Sequence, residues 1–139
     1  MSIKIIVDST VDLKDELKER VYSSVPLSIR FGDEEYLDGV TINHKQFYDK
    51  LVNSNVFPTT SQANPESFDR VFASLSKNDQ AIVITLSAKL SGTYQSAMIA
   101  SENYSNVIVI DSQSVAIGAG ILTEYAFELI DKGYQFDQI

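Results

Sequence analysis

The 139-residue chain has no cysteine and a single histidine, His44, and both shortages exclude chemistry. Without thiols there is no disulfide framework and no thiolate-held zinc. With one imidazole, neither a histidine metal cluster nor a Ser–His nucleophile pair is expected. Basic residues are scarce as well: 11 lysines and arginines stand against 19 acidic residues, a formal net charge of −8. Such a balance repels phosphate backbones and anionic lipid surfaces, so nucleic acid is not an expected partner. No apolar run approaches the ~18–20 residues of a spanning helix. The opening Met1-Ser2-Ile3-Lys4 also lacks the long apolar stretch of a signal peptide. Neither a phosphate-cradling P-loop nor a glycine fingerprint after the first strand is present. Internal repeats and low-complexity stretches are missing too. What remains reads as a soluble, acidic, cytoplasmic domain that needs no metal and no cofactor.

What is present is a core. The 44% hydrophobic content suits a folded chain, and one domain spanning residues 1–139 fits the usual size of about 100–150 residues. Three short β-branched runs stand out: Ile3–Val7, Ala81–Leu86 and Val107–Ile110. They are continuous rather than alternating, the mark of strands buried on both faces of a parallel sheet. Between them lie helical stripes. Leu13, Leu17 and Val21 form one, with Asp12 as its expected cap; Phe47, Tyr48, Leu51 and Val52 form another, with His44 opening a helix near the surface. Phe68, Val71, Phe72 and Leu75 form a third behind an Asn64 cap, Pro65 at the first position and Glu66 in the first turn. Residues 91–104 and 115–132 complete the set, the last apolar nearly all round, expected to be buried on more than one side, and stopped at Gly133. Ser24–Tyr36 reads as an extended segment, a Gly32-Asp33 turn and a return at a sheet edge. The alternation predicts a three-layer α/β/α fold with a mainly parallel sheet. At the C-terminus Tyr134–Asp137 approaches another helix and the chain stops at Ile139, which reads as a fragment cut at a boundary or one half of a larger protein.

Ligands of open α/β sheets sit outside the carboxyl ends of the strands. Those ends carry Asp8-Ser9-Thr10, Ser87 leading to Ser91-Gly92-Thr93, and Asp111-Ser112. A hydroxyl-rich loop, Thr59-Thr60-Ser61-Gln62, joins them ahead of the Asn64 cap. Hydroxyls and loop amides gathered there would form a rim that receives an anion. Taken singly, Ser9, Ser91 and Ser112 are ordinary turn and cap residues. Asp8 and Asp111 are expected to bond loop amides at the strand ends rather than act as paired acids. Gly118-Ala119-Gly120 is expected to allow close packing, and Asp33-Glu34-Glu35 to be a solvated turn.

Four stretches in order closely resemble the DegV family: VDSTVDL (7–13), FPTTSQANPESF (57–68), LSAKLSGTYQSA (86–97) and VIDSQSVAIGAG (109–120). The resemblance covers essentially the whole chain. It implies a bacterial fatty-acid-binding protein, the lipid-carrying subunit of a fatty acid kinase, about twice this length. Its acyl chain would lie in a closed apolar tunnel with the carboxylate near the junction of two domains, the second absent here. The head-group contacts implied are Thr60 and Ser91, with Ser61 and Gly92 as neighbours; Ser9 and Ser112 are further rim contacts. Ala63-Asn64 stands where the family usually has Pro-Ser. A chain lacking the second domain is expected to hold fatty acid weakly or not at all, or else to cover its exposed apolar surface by self-association. The partners implied are a long-chain fatty acid and a separate kinase subunit, with no catalysis by this chain. Two other readings of the rim stay open. One is a serine hydrolase or transferase using Ser91 or Ser9 with Asp8 or Asp111. The other is a phosphate- or nucleotide-binding domain on the same loops.

Overall fold

The structure is a computed structural model that describes residues 2–139. In chain order its first elements are β1 (Ser2–Asp8), α1 (Asp15–Lys18), β2 (Ser23–Val25), β3 (Ser28–Phe31), β4 (Glu34–Leu37) and α2 (His44–Asn53). They continue as β5 (Thr59–Ser61), α3 (Pro65–Ala73), β6 (Asp79–Thr85), α4 (Thr93–Ser101), β7 (Val107–Asp111) and α5 (Ile117–Asp131), followed by a 3-10 turn at Phe136–Gln138. The three β-branched runs become the parallel strands β1, β6 and β7, with β2 at the far edge, in the order β2-β1-β6-β7.

Because successive side chains leave a strand on opposite faces, the same runs build two cores. Ile6, Ala81, Val83 and Val107 meet Phe68, Phe72, Ala97 and Ala100 from α3 and α4. Ile5, Val7, Ile82 and Ile84 meet Ala126 and Phe127 of α5, with Leu17 and Val21 beside them. The expected three layers are therefore there. α3 forms as its sequence signals require: the Asn64 side chain accepts the Ser67 amide, Pro65 opens the helix, and Phe68 and Phe72 are fully buried. Phe72 also meets Tyr104 edge-on, ring centroids 5.5 Å apart.

Three expectations need correction. The hairpin does fall at sheet edges: Ser23–Val25 is the edge strand of the parallel sheet, while β3 and β4, turning at Gly32 (φ +61°), form a second, antiparallel sheet with β4 at its edge. Its third strand is β5, so Thr59-Thr60-Ser61 is strand rather than loop. Asp12 caps nothing: α1 is a four-residue turn entered through Lys14, and the Asp12 amide instead donates to the Ala116 carbonyl. α5 is buried on one side only, leaving Ile117, Ile121 and Tyr125 at 66%, 62% and 54% exposure. Its inward side has Ala119, Gly120, Thr123, Ala126 and Phe127 against the sheet and the β1–α1 loop, and no described element covers the outer side.

Gly120 shows why a small residue is needed: a Cβ there would lie 1.9 Å from the Asp12 carbonyl oxygen. The acidic turn is only partly free in solvent, since Glu34 pairs with Lys50 of α2 at 2.7 Å and Glu35 with Arg30 at 3.0 Å. α2 itself is fixed at its start by a reciprocal Asn43–Gln46 cap, with His44 exposed in its first turn.

Candidate functional site

The carboxyl ends of β1, β6 and β7 are tied together by two carboxylates. Asp8 is fully buried; one of its oxygens accepts the Thr10 amide (2.8 Å) and hydroxyl (2.6 Å), and the other accepts the Leu86 amide (2.7 Å). Burial pushes the Asp8 carboxyl above the usual carboxylate range, and the bonds from Thr10 and Leu86 pull it back. Asp111 Oδ1 accepts the Ala88 amide at 3.1 Å and the Gln113 amide at 2.9 Å. Both acids thus hold loops in place, as expected from their strand-end positions. Gln113 and Ala116 carry φ of +52°, a left-handed conformation uncommon for such residues, in the turn between β7 and α5.

The serines divide into two groups. Ser9 Oγ accepts the Leu27 amide at 3.0 Å, and Ser112 Oγ closes a local turn with Ser114 at 3.1–3.2 Å. Their hydroxyls serve the fold. Thr60 lies opposite Ile29 of β3. Paired residues share a sheet face, so Thr60 belongs to the face where Ile29 packs with Phe31, Ile42 and Phe47. It is exposed, and among the described residues its hydroxyl has no hydrogen bond. Ser61, one residue on, is also exposed and leaves from the opposite face.

Beyond Ser61 the Thr60 segment locks onto the Ser91 segment. Gln62 Nε2 donates to Ser96 Oγ at 3.3 Å, and the Ala63 amide donates to Thr93 Oγ1 at 3.3 Å. Gly92 lies directly under the Gln62 amide: a Cβ would stand 1.9 Å from Gln62 Oε1. Ser91 Oγ, half-buried, is 2.9 Å from Thr93 Oγ1 and accepts the Thr93 amide at 3.2 Å. The structure therefore brings the Thr60 and Ser91 segments side by side, while Ser9 and Ser112 sit on separate loops. No arginine belongs to this rim; Arg20 and Arg30 bond Asp131 and Glu35, and Arg70 bonds Ser67. The bonds joining the 60–63 and 91–93 segments run between neutral groups, and Lys89 is the one cation in the loop before Ser91.

Sequence reasoning did not find a cleft of about 640 Å³ between the end of β1, α1 and the start of α2. Ser9, Thr10, Val11, Val40, His44 and Tyr48 are among its lining residues. His44 and Tyr48 share one side of α2 four positions apart, which the sequence signals, but their meeting with Ser9 depends on the second sheet. Among the described residues no cluster of three or more metal-ligating side chains occurs, and no helix is long and apolar enough to cross a membrane.

Comparison with known proteins follows the same lines. Residues 2–139 match the family model described as the uncharacterised protein family DegV. A DegV domain-containing protein of Clostridium acetobutylicum is 40% identical over 141 residues, covering 99% of this chain and 50% of that protein. A solved DegV family protein from Thermus thermophilus, described for its fatty acid binding, superposes with a TM-score of 0.85 at 36% identity, covering 99% of this chain and 50% of that one. The Fatty Acid Kinase B3 protein of Streptococcus pneumoniae, loaded with linoleic acid, superposes with a TM-score of 0.82 at 27% identity, covering 99% and 51%. The chain belongs to the DegV family, and it spans about half the length of the curated relatives it matches.

Proposed function

We propose that this chain binds a long-chain fatty acid and holds its carboxylate at the paired segments 60–63 and 91–93, with Thr60 and Ser91 as side-chain donors. The observation that carries the reading is the lock between those segments, Gln62 to Ser96 and Ala63 to Thr93, in a fold whose neighbours bind fatty acids. The energetics agree. A sixteen-carbon acyl chain buries about fifteen methylenes, on the order of 12 kcal/mol gross at ~0.8 each, reduced by the cost of ordering the ligand. An enclosed carboxylate costs several kcal/mol unless donors meet it. Thr60 and Ser91 are neutral donors and no arginine belongs to their segments, so on this reading the head group is held by hydroxyls rather than by a bidentate arginine pair that would resist handing it on.

On this reading the chain is a carrier. It presents the carboxylate to a separate kinase subunit for acyl-phosphate formation, in the cytoplasm where such a kinase finds its nucleotide. A serine-nucleophile mechanism has no support in the geometry, because the only side chain meeting Ser91 among the described residues is Thr93, not an imidazole or carboxylate. A nucleotide site lacks both glycine fingerprints in the sequence.

The test is lipid extraction with mass spectrometry, followed by displacement of a fluorescent fatty acid. It is run on this chain and on the full-length Thermus thermophilus relative, each with alanine at Thr60 or Ser91 or the matching positions. Each substitution is expected to weaken binding about tenfold, the equivalent of one hydrogen bond of ~1.4 kcal/mol. Alanine variants that retain fatty acid as tightly as the parents would overturn the assignment.

A further inference from the structure

Thr93 is a fully buried side chain in the rim, and its hydroxyl has two neighbours among the described residues. The Ala63 amide donates to Thr93 Oγ1 at 3.3 Å, and Ser91 Oγ lies 2.9 Å away. Ser91 Oγ meanwhile accepts the Thr93 amide at 3.2 Å. Each hydroxyl has one proton to give and two lone pairs to receive with. Two proton arrangements satisfy these distances, and they are not equivalent.

In the first, Ser91 donates to Thr93. Thr93 Oγ1 then accepts from both Ser91 and Ala63, and its own proton, sealed from water, finds no acceptor among the described residues. In the second, Thr93 donates to Ser91. The buried hydroxyl is then fully paired, and Ser91 Oγ accepts twice from Thr93, once from its hydroxyl and once from its amide. Folded proteins avoid a buried donor without a partner, whereas the half-exposed Ser91 can leave its proton for solvent or ligand. The second arrangement is the ground state.

We infer that Thr93 is a positioning residue that makes Ser91 a dedicated proton donor, with no lone pair left for a ligand's own proton. Such a rim favours an ionised carboxylate, which only accepts, over an alcohol or a protonated acid of the same chain length. This selectivity rests on the fatty-acid reading above; the proton arrangement itself does not.

Two measurements separate them. In the NMR spectrum of this chain without ligand, the Thr93 hydroxyl proton is expected to exchange slowly and to show a through-space contact with Ser91. A slowly exchanging Ser91 hydroxyl, the mark of a Ser91 proton pointed inward at Thr93, would overturn the inference. In the second arm, palmitate and 1-hexadecanol are titrated into the wild type, Thr93→Val and Thr93→Ser. Thr93→Val is expected to lower the preference for palmitate about tenfold by weakening palmitate alone, and Thr93→Ser to restore it. An equal loss for both ligands would mark Thr93 as merely structural and refute the positioning role. If neither ligand binds the wild type or the full-length Thermus thermophilus relative, the fatty-acid reading fails, and the NMR arm still decides the proton arrangement.

Discussion

Gly92→Ala is the most direct probe of the lock between the two loops. The added methyl would stand 1.9 Å from Gln62 Oε1 and 2.6 Å from Cδ, so the Gln62 side chain must swing away. Gly92 has φ −75° and ψ 3°, open to alanine, so backbone strain plays no part. What is lost is the Gln62–Ser96 hydrogen bond, which leaves a buried Ser96 hydroxyl without its side-chain partner. Such an orphan costs ~1–3 kcal/mol. Alanine returns ~0.4–1 kcal/mol by narrowing the unfolded ensemble. The net loss is about 0.5–2 kcal/mol, read as a fall of roughly 2–8 °C in thermal midpoint or as a lower urea midpoint with unchanged slope. The decisive comparison is the same substitution in a Gln62→Ala background. There the methyl meets no amide and Ser96 is already unpartnered, so Gly92→Ala becomes neutral or slightly stabilising. The pair should therefore show a coupling energy near 1 kcal/mol or more. Strict additivity of the two changes would refute the claim that Gln62 and Gly92 form one unit.

Three other outcomes follow from the packing and the charges. Phe72→Ala, removing a fully buried ring packed on Phe68 and Tyr104, is expected to cost ~3–5 kcal/mol in urea unfolding. Asp8→Asn puts an N–H₂ group against an amide that needs an acceptor, at a cost of ~1–3 kcal/mol near neutral pH. Because burial raises the folded Asp8 carboxyl above its ordinary 3.8, the wild type's margin over that variant is largest below 3.8. The margin shrinks as pH rises through the raised value, which urea midpoints across a pH series would show. Ile117→Ser with Ile121→Ser, on the uncovered side of α5, is expected to shift light-scattering mass toward monomer while each change alters stability by no more than about 0.5 kcal/mol.

The parts of this fold that the sequence announced are those whose causes are local. Ile3–Val7, Ala81–Leu86 and Val107–Ile110 are strands because continuous β-branched runs fit a sheet covered on both faces, and α3 begins where Asn64 and Pro65 say it must. The parts that were missed have causes far away in the chain. Thr59–Ser61 owes its extended form to pairing with Ser28–Arg30, some thirty residues earlier, and nothing in the tripeptide itself requires it. α5 is apolar nearly all round, which tells how much surface it would bury but not whether this chain contains something to bury it. Gly92 resembles any glycine ahead of a helix until Gln62 is seen lying across it. The candidate site shows the same split. Its hydroxyls and their places at strand ends were legible, while the division between Ser9 and Ser112, tied to local structure, and Ser91, left with an outward proton, depends on distances no pattern carries.

That division bears on how affinity and selectivity separate in the proposed carrier. A methylene chain contributes the same burial whatever its head group, so the tail alone cannot tell a fatty acid from a fatty alcohol. Discrimination must come from the rim, and its neutral hydroxyls discriminate only if they cannot turn into acceptors. A lone serine hydroxyl can rotate and serve as either. Ser91 cannot, once the Thr93 hydroxyl and amide occupy both of its lone pairs, and Thr93 is held in that pose by the Ala63 amide from the neighbouring loop. The contact between the two loops is thus part of the recognition chemistry as well as of the fold. Loosening it through Gly92→Ala should erode carboxylate preference before it erodes total lipid binding.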